Sequence, residues 1–154
     1  MDLMIRNAEE KEVPAIAELV GKTWYKHKFF ELGIKYEKPI VKKKLIEYIE
    51  SPTHHVFVGI IDNCIRGYLI LATCESVFSR QKIIIQTALQ SDPSLGKYKE
   101  SIMIKKFMKF TDDFLKEKDF NLQCMSLSHT HDFSKHLEKK GYKLSDKIFI
   151  RKVI

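Results

Sequence analysis

Hydrophobic and polar positions recur with two different periods along the chain, and each change of period marks a new element. Leu3 to Arg6 alternates as a short strand. Glu9, Glu10 and Glu12 then surround Pro14, a helix start that suits both the dipole and the missing proline N–H. The first helix is predicted to run to about Lys26, with Val13, Ile16, Val20 and Trp24 at helical spacing and therefore in the core. Gly33 breaks the chain before a second helix that Pro39 opens. Its apolar face is Val41, Leu45 and Ile49, and Ser51-Pro52 ends it.

Two strands follow, Val56 to Ile61 and Ile65 to Thr73, and Asp62-Asn63 between them signals an antiparallel hairpin. Lys82 to Leu89 contains Ile83-Ile84-Ile85, too apolar for a strand with one wet face, which predicts a central place in the sheet. Ser91-Asp92-Pro93-Ser94 turns the chain into a long helix, Lys97 to Lys118. Met103, Phe107, Phe110 and Phe114 form its stripe, widened by Ile104, Met108 and Leu115. Leu122 to Ser128 reads as a strand and Phe133 to Lys140 as a short helix stopped by Gly141. Tyr142 to Val153 reads as a terminal strand pair around Ser145-Asp146. The pattern predicts a single α/β (α+β) domain over residues 1–154, a mixed sheet with helices packed against it.

Composition sharpens this picture in four respects. No apolar run approaches the roughly 20 residues a bilayer crossing needs, and the first residues lead into a strand, so no membrane partner is expected. The net charge of +7 is spread over lysines interleaved with Glu and Asp. The dense runs are Lys42-Lys43-Lys44 and the stretch from Lys97 to Lys109. That is a solvated lysine face, and nucleic acid is not the expected partner. Cys64, Cys74 and Cys124 are odd in number and far apart. Their strand-like surroundings predict small buried hydrophobes in a cytoplasmic or other reducing compartment. His129, His131, Asp132 and His136, with His54-His55, match no recognised ligand frame, so no metal is expected.

Four stretches carry a family resemblance: Ile5-Arg6-Asn7-Ala8 before the acidic helix start, Gly67 in Ile65-Arg66-Gly67-Tyr68, the strand-turn-helix from Ile83, and Lys139-Lys140-Gly141-Tyr142. Together, and in their order, they resemble the GNAT N-acetyltransferases over essentially the whole chain. The resemblance implies a mostly antiparallel central sheet of about six to seven strands flanked by about four helices. It implies acetyl-CoA as cofactor and an amine as acceptor. Thr87, Ala88, Leu89 and Gln90 would face the pantetheine arm, and Gly96, Lys97, Tyr98, Lys99, Glu100 and Ser101 would face the pyrophosphate at a helix N-terminus. Acceptor choice would rest on the loops Phe29 to Lys38 and Cys74 to Gln81.

Two departures from the family pattern are visible. Its P-x-x-R-G-x-G-x-G stretch reads here Pro93-Ser94-Leu95-Gly96-Lys97-Tyr98-Lys99-Glu100-Ser101, with one glycine shifted and two lost. Lys97 and Lys99 can offset lost N–H contacts by attracting phosphate directly, whereas Glu100 opposes an anion. The segment resembling Y-E-K-L-G-F begins with Leu137, which cannot protonate a departing thiolate. His136, Tyr98 and Tyr142 are the alternative proton donors, and Glu75 is the expected general base. The departures leave a second reading, a catalytically silent domain of the same fold. It would serve as a structural or binding subunit of a homo-oligomer or larger assembly such as a virus particle, and it predicts apolar surface for a protein partner to cover.

Overall fold

The computed structural model describes residues 2–27, 29–76, 80–125, 134–144 and 151. Among the described residues five strands, β1 (Leu3–Asn7), β2 (His54–Ile61), β3 (Cys64–Glu75), β4 (Lys82–Ser91) and β5 (Leu122–Met125), form one sheet in sequence order. The pairs are antiparallel except β4 with β5, which are parallel. Helices α1 (Val13–Thr23) and α2 (Lys38–Glu50) precede β2; α3 (Gly96–Glu117) joins β4 to β5, and α4 (Ser134–Lys139) follows. No helix among the described residues is long and apolar enough to cross a membrane.

Alternation along the strands builds two cores. Val56, Val58 and Ile60 of β2, with Tyr68 and Ile70 of β3, pack against Val13, Ile16, Ala17 and Leu19 of α1 and Leu45 of α2. Phe57, Ile61, Leu69, Leu71 and Ile84 point the other way, against Met103 and Phe107 of α3. With both faces covered, β2 is buried from Val56 to Ile61, and the domain is a helix–sheet–helix sandwich. Asp62 and Asn63 adopt φ 52° and 60°, the left-handed pair that a two-residue hairpin between β2 and β3 requires.

Several expectations change. The first helix ends at Thr23 and tightens to a 3-10 turn over Trp24–Lys26. The Ile83-Ile84-Ile85 run is covered on one face only: Ile84 is fully buried, but Ile85 is exposed because α1 and α2 do not extend over that end of β4. Cys64, Cys74 and Cys124 are exposed. Cys64 opens β3 at the hairpin, Cys74 is next to the end of that strand, and Cys124 lies on the short β5, so none reaches a covered face. Tyr142 to Leu144 are not strand. The rest of the expected terminal pair, around Ser145-Asp146, lies outside the described residues, as do His129, His131 and Asp132.

Candidate functional site

The middle of β4 is irregular. Ile70 pairs with Ala88 but Leu71 with Gln86, so Thr87 is an extra residue and the strand bulges there. The Thr87 hydroxyl donates to the carbonyl of Ile70 across the bulge, at 3.2 Å. The described β4–β5 ladder runs from Ile83↔Leu122 to Gln86↔Met125. Among the described residues, Ala88 to Ser91 pair only with β3. Strand alternation puts Ile83, Ile85, Leu122 and Cys124 on one face, that of α1, and Ile85 and Leu122 are exposed there.

Past the bulge, β4 leads into a turn that is held from both sides. The Asp92 carboxylate, only 5% exposed, accepts the backbone N–H of Ser94 at 2.9 Å and Arg66 Nη1 at 2.9 Å. The Asp92 N–H donates to the Arg66 carbonyl at 2.7 Å. Arg66 is itself the extra residue of a second bulge, where Gly59↔Gly67 is followed by Ile60↔Ile65. Burial alone would raise the Asp92 carboxyl, but the bonds from Ser94 and Arg66 outweigh it and hold the group below its usual value. Asp92 thereby caps a 3-10 turn over Pro93–Leu95, with proline at its first position. Ser91 Oγ, fully buried at the last position of β4, has no hydrogen-bond partner among the described residues.

Helix α3 starts directly from this turn. Gly96 takes φ 74° and ψ 155°, a backbone conformation that only glycine adopts without strain, while a Cβ there would meet nothing within 4 Å. The glycine is thus set by the chain path, and the space in front of it is open. No side chain caps the helix, and its first turn carries no acidic residue. The Gly96 N–H donates to the Pro93 carbonyl of the turn, and by helix geometry the N–H groups just after it have no intrahelical acceptor. Lys97, Tyr98 and Lys99 are exposed around them, Tyr98 to 79%. Glu100 and Ser101 turn inward to half-buried positions. Glu100 Oε1 meets Lys26 Nζ at 2.7 Å, with side chains 19% and 8% exposed.

The other expected residues are placed apart from this surface. Glu75 is exposed at the far end of the β3–β4 pair, opposite Lys82. At about 3.3 Å per residue it stands roughly 30 Å along β4 from Ser91 and about 16 Å from Thr87. His136 lies on the solvent side of α4, whose buried residue is Leu137. The Tyr142 hydroxyl donates to Gln123 Oε1 of β5. Burial, with the nearby Asp112 carboxylate, pushes the phenol up to about 12 and keeps it protonated.

Lys26, Arg66 and Asp92 were missing from the expected set. Asp92-Pro93-Ser94 carries a readable capping signal, an acceptor side chain before a proline at the first position. Lys26 carries none, because its partner lies 74 residues away.

No family model and no curated protein matches the chain. Solved structures do match it in fold. A transcriptional regulator from Bacillus halodurans superposes with a TM-score of 0.78 at 13% identity, covering 99% of this chain and 100% of that one. A GNAT family acetyltransferase from Staphylococcus aureus gives 0.72 at 13%, covering 99% and 100%. A predicted acetyltransferase with acetyl-CoA from Clostridium acetobutylicum gives 0.70 at 11%, covering 98% and 96%. The chain therefore has the GNAT fold, shared here by proteins described in quite different functional terms.

Proposed function

We propose that this protein is an N-acetyltransferase that uses acetyl-CoA and moves the acetyl group to an amine by direct attack. One observation carries this reading: the bulge at Thr87 and the open start of α3 at Gly96 lie on one continuous strand-turn-helix. The residues fit the cofactor. The α3 start offers uncapped N–H groups beside open space, and Lys97 and Lys99 supply positive charge for a pyrophosphate. The backbone of Ala88, Leu89 and Gln90 would hold the pantetheine arm. Bound acetyl-CoA would supply a thioester whose acetyl carbon passes to a neutral amine, coenzyme A leaving as the thiol.

The chain's own part is mainly orientation. Arg66 and Asp92 fix the turn so that the bulge and the helix start keep one spacing. Of the expected proton-transfer groups, Tyr98 adjoins the cofactor turn, His136 faces solvent, and Glu75 stands about 16 Å along the strand from the bulge. An acceptor approaching over the α1 face would meet the apolar Ile85 and Leu122. Calorimetry with acetyl-CoA tests the proposal. Binding heat and a raised Tm are expected; no heat and no shift at millimolar ligand would overturn it.

The silent-domain reading draws support from the same apolar residues, since Ile85 and Leu122, diagonal neighbours across the β4–β5 pair, are both exposed as a protein-covered surface would be. Sizing the purified chain separates the two. A monomer that binds acetyl-CoA counts for the enzyme, and an oligomer that ignores it counts for the subunit.

A further inference from the structure

The sheet face on which α1 and α2 pack is exposed at one end, and the strand registers fix which residues floor it. Cys74 pairs with Ile83 and Ala72 with Ile85, while Ile83 pairs with Leu122 and Ile85 with Cys124. Paired residues share a face, so the six side chains form two rows of three across β3, β4 and β5. Cys74, Ile85, Leu122 and Cys124 are exposed, and Ala72 and Ile83 are half-buried. His54 continues one row onto β2, where the Tyr48 ring of α2 stacks on it at 4.3 Å and bounds the shelf. None of the six is an acidic or basic residue. Glu75 and Lys82, the pair at that end, fall on the opposite face by alternation.

Two steps of about 4.8 Å across the strands and two residues of about 3.3 Å along them make the shelf roughly 10 by 7 Å between Cα positions. One aryl ring or a short alkyl chain covers it, whereas a stable protein interface needs about 800 Å² from each partner. Ile85 lies two residues, about 7 Å, before the bulge at Thr87.

We propose, on the acetyltransferase reading above, that this shelf selects the acceptor, a primary amine carrying an alkyl or aryl body of that size. The body lies over Ile85 and Leu122, and the nitrogen reaches the thioester at the bulge. There the nitrogen bonds to the acetyl carbon, the carbon–sulfur bond breaks, and the proton lost by nitrogen ends on the sulfur of coenzyme A. A polycationic acceptor would find no carboxylate among the six residues.

The test gives the full chain acetyl-CoA with straight-chain primary amines from ethylamine to octylamine, or with spermidine, and measures acetylated amine by mass spectrometry. The alkyl series keeps basicity nearly constant, so its trend reports burial. kcat/KM should rise about twofold to fourfold per methylene until the shelf is full, and spermidine should fall below octylamine. Leu122→Asn, at an exposed position, should flatten the rise mainly through KM. Met4→Ser, exposed on the far strand β1, should keep it. A rise that persists in Leu122→Asn would place acceptor selection elsewhere and overturn the role of the shelf. Calorimetry with acetyl-CoA separates the remaining failures. If acetyl-CoA binds but rates do not rise with chain length, or no amine is acetylated, the acceptor class is wrong and the cofactor reading stands. If the chain is an oligomer that Leu122→Asn dissociates, a second copy covers the shelf and no acceptor sits there. Absence of acetyl-CoA binding overturns both.

Discussion

Met103 Sδ occupies the space that a Cβ on Gly67 would need, and the Phe107 ring approaches the same point to 2.9 Å. A Cβ on Gly59, directly opposite Gly67 in the β2–β3 ladder, would likewise meet the Phe107 ring at 3.0 Å. Two facing glycines thus make a flat seat on the sheet into which α3 sets its two most buried side chains. Gly67→Ala should cost about 1–3 kcal/mol by overpacking, a Tm fall of roughly 3–10 °C. Met103→Ala in the same chain should recover part of that loss, because the colliding atom is gone. A thermal-melt double-mutant cycle measures the coupling, and additive effects would show that the seat does not set the helix position.

Arg66 and Asp92 predict where acid first loosens the turn before α3. Asp92 is held below its usual value in the fold, so its contribution is present above about pH 4 and is lost as pH falls through the lowered folded value. Arg66→Met removes one of the groups that lower it. The acid limb of Tm should therefore move to higher pH, with about 1–2 kcal/mol lost at neutral pH. An unchanged acid limb would mean that the bonds from Ser94 alone keep Asp92 ionised.

His55 predicts a second, separate window. Burial, reinforced by His54 and Lys118, lowers its pKa, and its ring meets Phe114 edge-on at 5.0 Å. Below about pH 6.5 the unfolded chain takes up a proton that the folded chain resists, so stability falls with falling pH in that range. His55→Gln should flatten the Tm curve between pH 7 and 5 while leaving the Asp92 limb in place. A melt series across both windows in the two variants assigns each limb to its residue.

Much of the scaffold was legible in the sequence because it rests on local periodicity. The α3 stripe led by Met103 and Phe107, the Asp62-Asn63 hairpin and the Pro39 helix start each follow from neighbours along the chain. The site was legible only in part. Its strand and its Gly96 could be located, but the bulge at Thr87 depends on register against Ile70, which no pattern within β4 encodes. The Lys26–Glu100 pair depends on where the turn after α1 meets the first turns of α3, 74 residues along the chain. The cysteines misled for a related reason: a strand-like context shows that a residue is in a sheet, not whether a helix covers its face.

The exposed cysteines offer a footprint of the proposed ligand. All three thiols are exposed, so iodoacetamide should add to the native protein at Cys64, Cys74 and Cys124 without denaturant. Their positions differ in a useful way. Cys124 pairs with Ile85, two residues before the bulge, or about 7 Å along the strand. Cys64 lies beside the Asp62-Asn63 turn, paired with Ile61 of β2 and beyond the end of the β3–β4 ladder. Acetyl-CoA seated along β4 past Thr87 should slow modification of Cys124 severalfold and leave Cys64 unchanged, as followed by mass spectrometry of each peptide. Equal slowing at both would indicate a general change in the protein, and no slowing at Cys124 would place the ligand away from the bulge. Cys64 is thus the internal control that separates occupancy of the strand from altered folding.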